Sequence, residues 1–193
     1  MPRPRIADAE ERLLIAGLSL FARRGCERVN SNAIARAAGV GIGTFYLHFA
    51  NKYALLRVIE QRTLAALREA RRQSDPGAGS EIESRVRATV RAAVEFAAAH
   101  PEAYRVCFGR ERTAPAHQEP LVVESARPIA DVLRARQRAG ALDSGLDPEL
   151  AARAYLAMEA GLLLWWLEDR TRAEPARLVE TLTRAHPVAA GRA

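Results

Sequence analysis

The 193-residue chain is predicted to be all-α: three short N-terminal helices joined by a long helix to a C-terminal helical domain. Three observations lead there. Apolar residues recur at helical spacing along nearly the whole length, with no sustained alternation of the kind a half-buried strand needs. Glycine and proline fall at the ends of those apolar stripes, where helices stop. Asn30, Asn51 and the pair Asp147-Pro148 stand where helices should start, each with a side-chain oxygen suited to orphan backbone amides.

The first helix, about residues 8 to 24, places Leu13, Leu14, Gly17, Leu18, Phe21 and Ala22 on one stripe and stops at Gly25. Arginines precede that stop, favourably placed at the negative end of the helix. Asn30 caps a second helix with Ile34, Ala35 and Ala38 on one face, ended by Gly39. Gly39, Val40 and Gly41 form a tight turn, with Val40 filling the angle between helices. In the third helix Ile42, Phe45 and Phe49 are expected to form a buried stripe, leaving Thr44, Tyr46, Leu47 and His48 to project elsewhere. Two helices crossed through a short glycine turn form a helix-turn-helix, whose second helix enters the DNA major groove.

Residues 30 to 52 also carry a run at fixed spacing: Ala35, Ala38, Gly39, Val40, Gly43, Thr44, Tyr46, His48, Phe49 and Lys52. This run resembles the DNA-binding domain of the TetR (tetracycline-repressor) family. The resemblance implies a repressor that binds a palindromic operator in double-stranded DNA as a homodimer and is released by a small-molecule effector. It implies DNA contacts from Thr44, Tyr46, His48 and Lys52, with the hydroxyls and the ammonium on phosphates, and Asn30, Ile42, Gly43 and Leu47 join them as candidate contacts. Two positions depart from the family pattern, which more often has serine or threonine at Gly41 and a polar or basic residue at Ile42. Gly41 offers no side-chain cap, and Ile42 offers only an apolar contact, for instance to a thymine methyl. Thr44, Leu47, Arg28 or Arg36 are then left to supply base readout. Two other readings stay open: an effector-independent or activating helix-turn-helix regulator, and a small-molecule binder or enzyme with an incidental basic face.

Charge divides the chain in the same place. Residues 1 to 74 hold 13 basic and 6 acidic residues, net +7, whereas residues 75 to 193 hold 16 and 17, net −1. The basic end suits a polyanionic partner, and the near-neutral remainder suits sensing or association. Lys52 is the single lysine among 29 basic residues. On this basis residues 1–52 are a DNA-binding domain, about 52–73 a linking helix capped by Asn51, and 74–193 an effector-binding and dimerisation domain. The linking helix is expected to bury Leu55, Leu56, Ile59, Thr63, Ala66 and Ala70. The boundary falls in SDPGAGSE, residues 74 to 81.

The second part should contain a helix from Ile82 to Ala99 with Val86, Val90 and Val94 inward, then one from Pro101 to about Arg110. Residues 111 to 120 read as loop, Leu121 to Ala139 as helix, Pro148 to about Asp169 as a long helix, and Glu174 to about His186 as the last, before a disordered tail. The long helix joins Ala151, Ala154, Ala157 and Gly161 to Leu162, Leu163, Leu164, Trp165, Trp166 and Leu167, apolar almost all round. It is either a buried core helix or, with the last helix, a subunit interface. Tyr104, Phe108, Trp165 and Trp166 are either core or the lining of a pocket for a hydrophobic effector.

Other functions find little support. There is no GxSxG, HExxH or Walker-type loop, and the histidines are scattered, so neither enzyme, metal nor cofactor is expected. Cys26 and Cys107 sit in no ligand pattern and read as packing residues of a reducing compartment, with redox sensing the other reading. The N-terminus lacks the apolar core of a signal peptide, and the longest apolar run, Ala160 to Leu167, is well short of the roughly 20 residues that cross a bilayer. A cytoplasmic protein without membrane attachment is expected.

Overall fold

The computed structural model describes residues 6–109 and 121–189, and among these there are nine α-helices and no strand. They are α1 (Ile6–Arg24), α2 (Ser31–Ala37), α3 (Ile42–His48), α4 (Lys52–Ser74), α5 (Ile82–Ala99), α6 (Pro101–Phe108), α7 (Leu121–Arg138), α8 (Pro148–Glu168) and α9 (Pro175–Ala185). The all-α prediction is correct. The loop read at 111–120 and the end of the tail lie outside the described residues.

The starts and stops follow from side-chain chemistry. Asn51 Oδ1 accepts from the amides of Tyr53 and Ala54, both at 2.9 Å. Asp147 Oδ1 does the same for Glu149 and Leu150 at the head of α8. Gly25 and Gly140 end α1 and α7 with φ of 74° and 67°, a left-handed backbone that glycine adopts without a Cβ clash. A 3₁₀ turn at Arg170–Arg172, which the sequence reading missed, follows α8.

The residues divide into two compact units, and the division lies inside α4, between Ala65 and Ala66, rather than at residues 74–81. The first unit holds α1, α2, α3, the first half of α4, and α6. Its core joins Leu13, Leu14 and Phe21 of α1 to Ile34, Ala35, Phe45, Phe49, Leu55, Leu56 and Ile59. Helix α6 packs on α1, with Val106 against this core, so a helix that the sequence reading assigned to the C-terminal part sits with the N-terminal one. Tyr104 and Cys107 of α6 are buried, as is Cys26.

The second unit holds the rest of α4, α5, α7, α8 and α9. Helix α8 packs on α7 and α5, and α9 packs on α5. The expected stripe of α4 needs correction: Ala66 is exposed, and Leu64 and Leu67 are buried in its place. After α4 the chain is pinned by Asp75, whose carboxylate accepts from Arg85 at 2.9 and 2.7 Å and from the Gly77 amide at 3.0 Å. The Arg85 bonds, joined by the Gly77 amide, hold that carboxyl at about 2.

Helix α8 is 21 residues with mean hydropathy 1.2, long and apolar enough by those measures to cross a membrane, which its longest uninterrupted apolar run did not suggest. Its buried face, however, carries Glu159, ion-paired with Arg71, and packs on neighbouring helices. That is the pattern of a core helix, because an ion pair of this kind is satisfied within the domain. The chain after α9 is packed rather than free as far as Ala189. Val188 is buried, its amide donates to His186 Nδ1 at 3.2 Å, and Arg136 donates to its carbonyl.

His186 is itself buried against Tyr155, the rings 4.2 Å apart. Burial, helped by the positive charge of Arg71, pushes its pKa from 6.5 down to about 4. Above pH 6.5 the ring is neutral both folded and unfolded. Between 6.5 and 4 the unfolded chain takes up a proton that the folded chain refuses, so stability falls as pH falls. The loss from this group should approach about 3 kcal/mol by pH 4. Urea unfolding of His186→Phe should show a shallower decline over that window, and a decline parallel to wild type would show that His186 is not its source.

Candidate nucleic-acid interface

The turn between α2 and α3 is built as the sequence implies. Asn30 Oδ1 accepts from the Ala33 amide at 2.9 Å, and Gly39 closes α2 at φ 64°. Arg12 of α1 donates to the Gly39 carbonyl at 3.1 Å, fastening the turn to the first helix. Val40 packs partly buried against the core. Gly41 begins α3 with no side-chain cap, its carbonyl accepting from Thr44 and Phe45.

Helix α3 is seven residues long, too short to hold together in water without tertiary packing. Phe45 supplies that packing. It is fully buried, with Phe49 at the C-cap buried beside it and the two ring centroids 5.9 Å apart. Tyr46 and Leu47 point outward, 57% and 84% exposed. Ile42 is also exposed, which corrects the expected buried stripe: only Phe45 and Phe49 reach the core, and Ile42 in the first turn joins the outer surface. Gly43 is exposed, with open space where a Cβ would stand, and Thr44 is half-buried.

Two predicted contact residues have partners within the chain. His48 is largely covered, with 10% of its side chain exposed and Nδ1 3.9 Å from the Glu10 carboxylate of α1. Glu10 in turn meets Arg62 of α4 at 3.2 Å, so α1, α3 and α4 share one polar seam. Lys52 donates from Nζ to the carbonyls of Cys26 at 2.9 Å and Glu27 at 3.1 Å. Its ammonium therefore ties the start of α4 to the connection between α1 and α2. Sequence reasoning missed this tie because the partners are backbone oxygens 25 and 26 residues away, which no side-chain pattern announces.

An open groove runs beside α3, lined by Glu27, Arg28, Val29, Asn30, Ser31, Asn32, Tyr46 and Lys52. Hydroxyl, amide and cationic groups facing one groove beside an exposed helix are suited to hydrogen bonds with phosphate oxygens. Ser31 and Asn32 were not singled out from sequence, although their place in the first turn after the Asn30 cap would have indicated them. The four aromatic residues considered for an effector pocket divide between the units. Tyr104 and Phe108 lie in the first, their rings 4.6 Å apart. Trp165 and Trp166 lie in the second. Trp166 is buried and donates its indole N–H to the Ala173 carbonyl at 2.9 Å; Trp165 is 44% exposed, with the Arg172 guanidinium over its ring. Among the described residues no cluster of His, Cys, Asp or Glu could hold a metal ion.

A short helix fixed on its inner side by aromatic burial, with a bare outer side flanked by a polar groove, defines a helix-turn-helix DNA-binding regulator. Residues 13–59, which span the helix-turn-helix and its flanking helices, match the bacterial regulatory proteins of the tetR family. Whole-chain likenesses point the same way for the fold. The fatty acid degradation regulator FadR of Bacillus halodurans is 18% identical with a TM-score of 0.74, covering 95% of both chains. FadR of Bacillus subtilis, solved in complex with stearoyl-CoA, is 16% identical with a TM-score of 0.74, covering 93% of this chain and 98% of that one. A TetR-like regulator from Rhodococcus sp. RHA1 is 20% identical with a TM-score of 0.72, covering 96% of both.

The bonds of Lys52 give it a structural role that can be measured without DNA. Lys52→Met is expected to lower the unfolding free energy of the free protein by about 1 to 2 kcal/mol. A lysine serving phosphate alone would leave the urea midpoint unchanged.

Proposed function

We propose that the protein is a cytoplasmic repressor that binds a palindromic operator as a homodimer through α3 and is released by a small hydrophobic effector. The observation that carries the DNA-binding half is the contrast within α3: Tyr46 and Leu47 are open to solvent beside a fully buried Phe45. Tyr46 and Lys52, with Asn30 and Arg28 across the groove, face phosphates and set the register, while Ile42, Gly43, Thr44 and Leu47 meet base edges. An apolar set of this kind reads thymine methyl groups and groove shape more than donor and acceptor patterns. His48 acts through its seam with Glu10, orienting the end of α3.

Support for the dimer comes from the outer face of α8. Leu150, Ala154, Met158, Gly161 and Trp165 are all exposed and lie on one helical stripe. A Cβ at Gly161 would meet nothing within 4 Å, so another helix can approach closely there. The exposed face of α9 carries Arg177, Glu180, Thr181 and Arg184, suited to the polar rim of such an interface. A two-fold pair presents two α3 helices to successive major grooves, about 34 Å apart on one side of the duplex. A ligand that favours a different spacing releases the DNA in proportion to its differential affinity for the two states. The complex of the Bacillus subtilis regulator with stearoyl-CoA supports trying long-chain acyl-CoA first as effector.

Footprinting on the DNA flanking the protein's own gene tests the whole reading: a short protected palindrome, lost on adding stearoyl-CoA or another acyl-CoA, is expected. Protection that no acyl-CoA relieves would remove this effector class, and absence of specific protection would remove the operator. Tyr46→Phe should weaken operator binding roughly three- to tenfold with an unaltered melting temperature. Gly161→Glu should leave a folded monomer in sedimentation, and a persistent dimer would move the interface away from α8.

A further inference from the structure

A second groove of the first unit contains no residue of α3. It lies along α1 and the end of α2, has a volume of about 460 Å³, and is lined by Arg12, Ile15 and Arg23 of α1, Arg36 of α2, Gly39 and three alanines. Residues 12, 15, 19 and 23 recur at helical spacing, so the groove takes up one stripe of α1 beside the stripe that fills the core. Three guanidinium groups thus line one groove, and among the described residues none of the three has an ion-paired carboxylate. Arg12 and Arg23 each hold a backbone carbonyl, of Gly39 and Ser19 respectively. The neighbouring glutamates are engaged elsewhere: Glu10 and Glu11 with Arg62, and Glu27 with Tyr53 and Lys52. Arginines of the second unit such as Arg85, Arg134 and Arg153, by contrast, do have acidic partners.

The same groove carries Ile15, 62% exposed and, among the described residues, the most exposed large apolar side chain of the first unit after Leu47. Solvated arginines and a single bare isoleucine are each ordinary on a protein surface. Their combination in one groove narrows what fits there. The charges are spread over about 16 Å of α1, with two of the heads held by backbone, so the matching ligand is extended and carries several negative charges. A DNA duplex meets that condition but offers nothing apolar to cover Ile15. An acidic amphipathic helix meets both, since its carboxylates pair with guanidinium groups while an apolar side chain between them covers Ile15 and the alanines. Arginine around an apolar contact is also the composition of protein interfaces. We propose that the groove between α1 and α2 docks an acidic amphipathic helix of a partner protein.

The test uses the full-length protein and a fluorophore-labelled synthetic peptide of roughly four helical turns, with glutamates flanking leucines on one face. Fluorescence anisotropy should show binding. Arg23→Gln/Arg36→Gln should weaken it by roughly three- to twentyfold and Ile15→Ser by roughly three- to tenfold, with unaltered melting temperatures. Arg12 is left in place because it fastens the turn at Gly39. A peptide with serines for leucines should bind more weakly to the native protein and be insensitive to Ile15→Ser. Absence of peptide binding, or binding that none of these variants weakens, overturns the docking site. Random-sequence duplex DNA separates the protein partner from a nucleic acid: the salt dependence of its affinity should be the same for the native protein and Arg23→Gln/Arg36→Gln. A slope flattened by about two units in that variant would make the groove a phosphate contact and overturn the proposal.

Discussion

The burial of Phe45 is the constraint on which the outer surface of α3, the proposed DNA-reading face, depends. Seven residues of helix gain too little from backbone hydrogen bonds to offset the cost of ordering them, and α3 has neither a side-chain cap nor an acidic residue in its first turn. Its conformation comes from a buried ring that meets α1 and α4 in one core. Because side chains three or four apart share a helix face and those one or two apart do not, fixing Phe45 inward fixes Tyr46 and Leu47 outward. The backbone of α3 and the direction in which its outer side chains leave it are therefore set within the free protein, which leaves only the side chains themselves to be ordered by a partner.

Around that core the chain places several ties of longer reach. Arg12 holds the Gly39 carbonyl, Lys52 holds the carbonyls of Cys26 and Glu27, and Glu10 joins His48 to Arg62. Each connects helices distant in sequence, and together they restrict how α3 and α4 can move against α1. The excess of arginine over acid in residues 1 to 74 adds a long-range attraction for DNA that falls with salt, whereas the geometry of α3 does not. In the proposed reading, affinity and specificity thus have separate physical sources in one small unit.

Much of this was legible in the sequence, and the parts that were not have a common cause. Caps and stops are local chemistry, so Asn30, Asn51, Asp147, Gly25, Gly39 and Gly140 could be read directly, and with them nearly every helix boundary. Periodicity placed Phe45 and Phe49 correctly but extended the stripe to Ile42, since a helical repeat cannot say where the neighbouring surface ends. The same blindness to neighbours misplaced Ala66 in the stripe of α4 and grouped α6 with the second unit. Contacts between a side chain and a remote backbone carbonyl carry no pattern at all, so Lys52 looked wholly free for phosphate. The pairing of half-buried Arg71 with buried Glu159, 88 residues apart, was invisible for that reason.

The dependence of α3 on the core of its unit can be measured by native-state amide hydrogen exchange of the DNA-free protein. If burial of Phe45 holds the helix, the Phe45 and Phe49 amides, whose hydrogens are bonded to the Gly41 and Phe45 carbonyls, exchange only when the core opens. Their opening free energy should then match that of the central amides of α1 and fall with theirs as urea is added. Exchange of these amides near the unprotected rate, with α1 still protected, would show that α3 forms independently of the core and would contradict the account.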